Sequence, residues 1–182
     1  MSDNANTPVP GTDAAAGAQA RQPVPPINIV AQYVKDLSFE NPNAPESLRA
    51  GAAAPQVQVN VDVRTNKIDD RNYEVILNVK GEAKGKEDKV NFLFELSYGG
   101  LVQLGENTPP QAVGPLLLIE APRMMFPFAR AVIAEATRNG GYPPLLIQPI
   151  DFADMFRRQL TALRERQQAQ AASANAPAAG SA

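Results

Sequence analysis

Four segments of this sequence alternate between apolar and polar residues with a period of two, and this alternation constrains the fold more than any other feature. The clearest, QVQVNVDVRT, carries valine at positions 57, 59, 61 and 63 with polar residues between them. Successive side chains of a β-strand point to opposite faces of a sheet, so the segment predicts a strand with one apolar face. Strands buried on both faces would be continuously apolar, and the sheet is therefore predicted to be antiparallel.

The other three predicted strands are INIVAQYVKDLSFE, NYEVILNVKGEA and DKVNFLFELSYGG. In the first, the residues predicted to share the apolar side are Ile27, Ile29, Ala31, Tyr33, Leu37 and Phe39, with Lys35 out of pattern. The last ends at Gly99 and Gly100, which predict a bulge or bend before the strand continues.

The second half of the core has a helical period instead. Apolar residues from Phe126 recur about every 3.6 positions, and Gly140 is predicted to end that helix as a left-handed cap. Residues 112–120 are also expected to be helical, although Pro115 disturbs them. Asp151 is a plausible N-cap for a last helix. The pattern predicts an α+β fold: a four-stranded antiparallel sheet with a long broken helix and a C-terminal helix packed on one face.

Composition divides the chain into three regions. Residues 1–26 are rich in Ala, Pro, Gly, Asn and Asp without periodicity, and they predict a disordered N-terminal extension. Residues 167–182 predict a disordered Ala-rich tail by the same reasoning. Residues 27–166 form the predicted folded domain.

The 182-residue chain contains no cysteine and no histidine. Thiolate nucleophiles, histidine-dependent triads and most zinc sites are therefore excluded. We expect a protein that is not an enzyme, with no catalytic residue, no metal and no cofactor. An enzyme that uses carboxylates alone stays open. The acids that flank the apolar stretch are explained as well by helix surface or capping: Glu120, Glu135, Asp151 and Asp154.

Charge and hydropathy also limit the partners. The formal net charge is −2, whereas nucleic-acid binding needs clustered Lys and Arg. No apolar run approaches the roughly 20 residues that span a bilayer, and the N-terminus lacks the pattern of a signal peptide. We expect no nucleic-acid partner, no direct membrane insertion, and a protein that stays in the compartment where it is made.

Two parts of the sequence predict surfaces that could bind a partner, one apolar and one acidic. Apolar residues in the kinked stretch MMFPFARAVIAEATRNGGYPPL suit a groove for extended apolar ligands, and ordinary core or an oligomer interface is the competing explanation. The polar side of the sheet is predicted to carry Asp36, Glu40 and Glu95 around an exposed Leu93. That acidic face is either simply solvated or a docking patch for a basic partner.

Three stretches resemble the SecB family of bacterial export chaperones. They are YVKDLSFENPNAP at 33–45, FELSYGGL at 94–101, and APRMMFPFAR with TRNGGYPPLLIQPIDFADMF within 121–156. The resemblance covers about residues 27–160. It implies the same α+β fold and a homotetramer built as a dimer of dimers. It also implies a cytoplasmic, ATP-independent holdase that keeps precursors of secreted proteins unfolded and delivers them to the SecA translocation motor.

The resemblance also implies roles for particular residues. The expected client-binding residues are Val57, Val59, Val61, Met124, Met125, Phe126, Tyr142, Phe152 and Phe156. The expected SecA-binding residues are Asp36, Glu40, Leu93 and Glu95, the same acidic face that alternation indicates. Residues expected at the oligomer interface are Phe94, Leu96 and Tyr98.

Two other functions stay open as alternatives to an export chaperone. One is a SecB-like chaperone dedicated to a single partner, such as an antitoxin. The other is a purely structural oligomer, which would bind neither unfolded chains nor SecA.

Overall fold

The computed structural model describes residues 26–49, 55–85 and 88–174. The predicted N-terminal extension lies outside these residues except for Pro26, and so does the part of the predicted tail after position 174.

A four-stranded sheet forms the first half of the described chain. Its strands are β1 (Ile27–Glu40), β2 (Gln56–Lys67), β3 (Asn72–Lys84) and β4 (Val90–Leu104). The spatial order is β1-β4-β3-β2, and every neighbouring pair is antiparallel. The predicted antiparallel sheet is therefore confirmed, with β4 and β3 in its centre and β1 and β2 at its edges.

Strand β1 departs from simple alternation at two places. Its pairing with β4 shifts register between Ile29 and Ala31, and again between Val34 and Asp36. Each shift reverses the face to which the following side chains point. The prediction that Ala31 and Tyr33 share the apolar side with Ile29 is therefore wrong, because the segment between the two shifts faces the other way.

Gly99 and Gly100 allow close packing on both faces of β4 and do not create the predicted bulge there. A Cβ atom on Gly99 would lie 2.6 Å from the Tyr33 ring, and one on Gly100 would lie 2.8 Å from the Met125 thioether. The strand runs unbroken through both glycines. The register shifts lie elsewhere, two on β1 and one at Asn91 of β4, so the predicted bulge was assigned to the wrong position.

Residues 110–139 follow one continuous helical path. Helix α1 (Pro110–Pro115) passes into a π-helical turn (Leu116–Glu120), which leads into helix α2 (Ala121–Asn139). In that turn the Ala121 N–H donates to the Leu116 carbonyl, five residues back. Proline lacks an N–H, and the wider turn precedes Pro122, so the predicted break is a change of helical pitch within a continuous run of helical residues.

The last part of the described chain is a loop followed by helix α3 (Phe152–Ala174). The left-handed residue after α2 is Gly141, with φ of +89°, whereas Gly140 keeps a helical backbone. The predicted cap was therefore misplaced by one residue. The predicted N-cap is confirmed, because Asp151 Oδ1 accepts the Asp154 N–H at 2.9 Å. Helix α3 also continues past position 167, where composition had placed the start of the tail.

The helices cover one face of the sheet, and the core lies between the two layers. Sheet residues with almost no exposure include Val75, Leu77, Val79, Phe94 and Leu96. Met125 and Ile133 of α2 and Phe152 of α3 cover them. The predicted layout of helices on one face is confirmed, and the opposite face of the sheet, the bare face, has no helix on it in the described chain.

Candidate binding surfaces

The nine residues expected to bind clients differ widely in exposure. Val57 and Val59 are both 37% exposed on the edge strand β2, and Met124 is 48% exposed on α2. Val61, Tyr142 and Phe156 are half-buried. Met125, Phe126 and Phe152 are buried, at 0%, 5% and 1% exposure. Alternation and helical spacing identify apolar positions, and only the packing separates these surface residues from the core beneath them.

Some of these residues contact one another and others do not. The Phe126 and Phe152 rings meet edge to face with centroids 5.8 Å apart, which joins α2 to α3. Phe156 lies beside Gly114 at the start of the helical path. Tyr142 packs elsewhere, with its ring centroid 4.7 Å from that of Phe92.

Tyr142 is held by its hydroxyl group as well as by its ring. The hydroxyl oxygen lies 2.8 Å from Asn41 Oδ1, 2.8 Å from Ser47 Oγ and 2.9 Å from the Asn91 carbonyl oxygen. The Asn41 amide in turn donates to the Gly140 carbonyl at 3.0 Å. These contacts join the loop after β1, the loop after α2 and strand β4, so Tyr142 has a structural role in the chain.

Several exposed apolar side chains belong to none of the predicted sites. On and beside α2, Phe128 is 54% exposed and Leu146 is 71% exposed. Leu146 and Pro144 line a groove of about 300 Å³ against the outward side of α2. On the edge strand β1, Val30, Val34 and Leu37 are exposed. Their position on an edge strand could not be deduced before the strand order was known.

The four residues of the acidic patch lie together on the bare face of the sheet. Glu40 is directly opposite Leu93 in the β1–β4 pairing, and Ser38 is opposite Glu95. Asp36 is opposite Ser97, one step further along the same face. We call this set, Asp36, Glu40, Leu93 and Glu95, the docking face.

The docking face is less purely acidic than the sequence predicts. Lys80 Nζ lies 2.7 Å from Glu95 Oε2, and the two side chains are 59% and 50% exposed. A surface ion pair of this kind contributes only about 0–1 kcal/mol. Asp36 and Glu40 make no salt bridge to any residue that the structure describes. A shallow depression of about 430 Å³, lined in part by Lys80, Leu93 and Glu95, adjoins the patch.

A second polar cluster on the bare face was not predicted. Glu74 Oε1 accepts hydrogen bonds from Tyr33 Oη at 2.5 Å and Lys35 Nζ at 2.6 Å, and Oε2 accepts one from Asn66 Nδ2 at 2.9 Å. We call these four residues the Glu74 clamp. It connects β1 to β3 and β2 and crosses β4 above Gly99. No sequence pattern indicates it, because its residues come from three strands.

The clamp perturbs both acids within it. Hydrogen bonds from Lys35, Tyr33 and Asn66, in that order, lower the pKa of Glu74 to about 2. The hydrogen bond to the Glu74 carboxylate, with some burial, raises the pKa of Tyr33 to about 12. At neutral pH Glu74 is therefore an anion and Tyr33 a neutral donor.

The three residues expected at an oligomer interface are covered within the chain. Phe94 and Leu96 are 1% exposed and Tyr98 is 7% exposed, because they lie on the sheet face beneath the helices. Their side chains do not reach the surface of a single chain, so any influence on assembly has to be exerted through the shape of the sheet.

The described residues were also compared with the requirements of a membrane-spanning helix and of a carboxylate metal site. No helix among residues 26–49, 55–85 and 88–174 is long and apolar enough to cross a membrane. In the same part of the chain, no group of three or more Asp and Glu side chains is placed to hold a metal ion.

Comparison with known proteins decides the family. The family model described as preprotein translocase subunit SecB matches residues 19–163. The chain belongs to the SecB family.

Relatives of this SecB-family chain extend along most of its length. It is 49% identical over 145 residues to the protein-export protein SecB of Rhodospirillum centenum, covering 80% of this chain and 86% of that one. The SecB of Sinorhizobium fredii is 48% identical over 164 residues, covering 90% and 96% of the two chains. The SecB of Afipia carboxidovorans is 44% identical over 154 residues, covering 85% and 94%.

A solved structure supports the fold. The SecB-like chaperone of Mycobacterium tuberculosis, in complex with a ChAD peptide from an antitoxin, matches with a TM-score of 0.56. The match covers 68% of this chain and 90% of the other, at 9% sequence identity. The predicted SecB-like α+β fold is therefore confirmed, and the low identity carries no further information about partners.

Proposed function

We propose that this protein is an ATP-independent export chaperone, which holds precursors of secreted proteins unfolded in the cytoplasm and delivers them to SecA. The observation that carries the proposal is the identity of 44–49% to proteins named protein-export protein SecB. That similarity favours an export chaperone over one dedicated to an antitoxin, because the antitoxin-bound chaperone is only 9% identical.

Client binding is assigned to apolar side chains on the helix-covered side of the molecule. Val57 and Val59 are on an edge strand whose free backbone groups are available to an extended peptide. Met124 supplies an adaptable apolar surface on α2. Met125, Phe126 and Phe152 belong to the buried core on the same side of the sheet.

Binding by such surfaces needs no reaction and no nucleotide. Burying one aliphatic side chain of a client contributes roughly 1.5–3 kcal/mol. Several weak sites on one assembly act together through effective concentration, so binding is tight and tolerant of sequence. Slowly folding chains stay bound, whereas fast folders bury their apolar segments first.

Delivery is assigned to the docking face. Asp36 and Glu40 are exposed and form no ion pair with any described residue, and Leu93 between the acidic positions supplies an apolar contact. Acidic surfaces of this kind steer and orient basic partners. We assign SecA binding to this face, on the opposite side of the sheet from the client surfaces.

We further propose a homotetramer, organised as a dimer of dimers. The exposed Val34 and Leu37 on the edge strand β1 provide apolar surface for contact between chains. Phe94, Leu96 and Tyr98 act on assembly indirectly, by setting the packing of β4.

The experiment that tests this function combines light scattering with size-exclusion chromatography. The purified full chain is run alone and after rapid dilution of a urea-unfolded exported precursor into it, without nucleotide. We expect an assembly of four chain masses that co-elutes with the precursor and prevents its aggregation. A tetramer that ignores the precursor, or captures it only with ATP, would refute the holdase proposal.

A further inference from the structure

We propose that Glu74 and Lys35 are positioning residues for the docking face: they fix the β-bulge that turns Asp36 and Glu40 toward the partner. This inference rests on the proposed SecA docking and extends it to residues outside the contact surface.

The direction of Asp36 depends on the second register shift in β1. Tyr33 is paired with Gly99 and points to the bare face, and Val34 is paired with Tyr98 and points toward the helices. Strict alternation from Tyr33 would point Lys35 outward and Asp36 inward. The shift between Val34 and Asp36 adds one residue, so that Asp36 is paired with Ser97 on the bare face.

The same shift determines the remainder of the strand. Glu40 reaches the bare face opposite Leu93, while Phe39 turns inward and stacks on Phe92 with centroids 5.6 Å apart. If the bulge moved toward the end of β1, the residues between its old and new positions would reverse their faces. Phe39 resists a complete slip, but nothing in its packing fixes the bulge at Lys35.

The Glu74 clamp fixes the bulge at that point. Lys35 is the extra residue, without a partner in the β1–β4 register, and its amino group lies 2.6 Å from Glu74 Oε1. Tyr33, on the other side of Val34, donates to the same oxygen at 2.5 Å. The Glu74 side chain is only 15% exposed, and Asn66 holds its second oxygen. The residues on either side of Val34 are thus both tied to one fixed carboxylate.

The clamp has a second consequence, for charge. Lys35 is adjacent in sequence to Asp36, and a free ammonium group there could neutralise the acid that a basic partner requires. Its contact with Glu74 directs the ammonium group to the third strand of the sheet. The clamp therefore keeps Asp36 turned outward and keeps Lys35 from pairing with it.

The test compares Glu74→Gln with Glu106→Gln in the full-length chain. Glu106 forms an ion pair of the same length, 2.6 Å, with Arg71, away from the docking face, so the second variant is a matched control. We expect Glu74→Gln to weaken the affinity for purified SecA at low salt by a few-fold to about tenfold. We expect no change with Glu106→Gln, and equal capture of a urea-unfolded precursor by both variants.

Hydrogen exchange of β1, measured without SecA, gives a readout that does not depend on the docking assignment. We expect faster exchange in the peptide covering residues 34–40 of Glu74→Gln, and unchanged exchange in residues 56–62 of β2, which lie away from Asn66. Unchanged exchange in β1, or faster exchange with unchanged SecA affinity, would overturn the inference. A parallel loss of precursor capture would reduce Glu74 to a general stabilising role and overturn it as well.

Two further variants separate failure of the docking proposal from failure of the clamp. If Asp36→Asn with Glu40→Gln leaves SecA affinity intact, the docking proposal itself fails, and the exchange data still report whether the clamp holds the bulge. If Glu74→Gln does not fold, Tyr33→Phe removes a single donor and keeps the ring above Gly99. It is expected to have the same effects in smaller degree, and their absence would overturn the inference.

Discussion

Individual side chains in this protein combine apolar packing with polar contacts that the sequence does not reveal. Tyr142 was expected to extend an apolar groove. Its ring does pack on Phe92, but its hydroxyl group is also surrounded by Asn41, Ser47 and the Asn91 carbonyl. At the residue scale, we therefore expect the removal of a single atom to change stability without changing the proposed client binding.

Tyr142→Phe tests that separation. Removing the hydroxyl takes one hydrogen-bond partner from the Asn91 carbonyl and from the Ser47–Asn41 pair, and we expect the free energy of unfolding to fall by about 1–3 kcal/mol. Urea unfolding of the variant measures this change. Precursor capture by the folded variant should be unchanged, because the ring remains. Unchanged stability with weaker capture would instead identify the hydroxyl as a client contact.

The Glu74 clamp predicts a specific dependence on acid. The pKa of Glu74 is about 2 in the folded chain and 4.5 ordinarily, so its ionised form is favoured by folding. Its contribution to stability is fully present above about pH 4.5 and is lost as the pH falls toward 2. We expect thermal melts to show that wild type exceeds Glu74→Gln in stability at pH 7 and that the gap narrows below pH 4.5. A gap that is constant from pH 7 to pH 3 would contradict the clamp.

Among the elements, strand β1 shows most clearly where sequence reasoning succeeds and fails. Its ends were assigned correctly, because two one-residue shifts cancel and leave Ile27 and Phe39 in the same phase. The segment between the shifts was inverted, since two bulges together restore the phase and leave the period of the residues outside them uninterrupted. The strand types, the sheet and the Asp151 cap follow from local pattern.

The exposure of the expected client-binding residues was harder to predict than the position of the acidic patch, for a physical reason. The patch follows from alternation along residues 36–40 of β1 and 93–95 of β4, where no register shift interrupts their pairing and each side chain keeps its predicted face. Exposure on an apolar surface depends on which element covers it, and this separates Met124 from the buried Met125. The sequence alone does not show which of two neighbouring apolar residues on a helix is buried, because that depends on the element packed against the helix.

Two glycines give opposite predictions for the same substitution. A Cβ at Gly81 would lie 2.3 Å from the ring of Phe94, which is buried, so Gly81→Ala should destabilise by about 1–3 kcal/mol. At Gly114, in helix α1, the nearest atom is Phe156 Cζ at 3.7 Å. Gly114→Ala should stabilise by roughly 0.5–1 kcal/mol, because alanine favours helix. Equal shifts in urea midpoint for the two variants would show that the packing account of β3 is wrong.

At the scale of the whole molecule, one sheet separates two surfaces of different chemistry. Its helix-covered side carries the apolar groups assigned to clients, and its bare face carries the docking face and the Glu74 clamp. We therefore propose that the two functions do not compete for the same side chains, and we expect a loaded chaperone still to present Asp36 and Glu40.

Charge changes on the docking face should alter SecA binding and leave client capture unchanged. We expect Glu40→Gln with Glu95→Gln to lower SecA affinity by about tenfold or more at low salt and to flatten its salt dependence. Lys80→Gln removes the partner of Glu95 and should leave affinity equal or higher. Binding titrations at two ionic strengths measure both effects. Weaker binding by Lys80→Gln would show that the basic side chain is itself a contact.

Formation of a three-component complex tests the central claim most directly. The protein is first loaded with an unfolded precursor without nucleotide, then mixed with SecA, and the particle mass is measured by light scattering after size exclusion. If the client and SecA surfaces lie on opposite faces, wild type should form one particle that contains chaperone, precursor and SecA. The variant with Asp36→Asn and Glu40→Gln should form a particle that contains the precursor but lacks SecA. Displacement of the precursor by SecA without ATP would contradict the account, since it would place both partners on one surface.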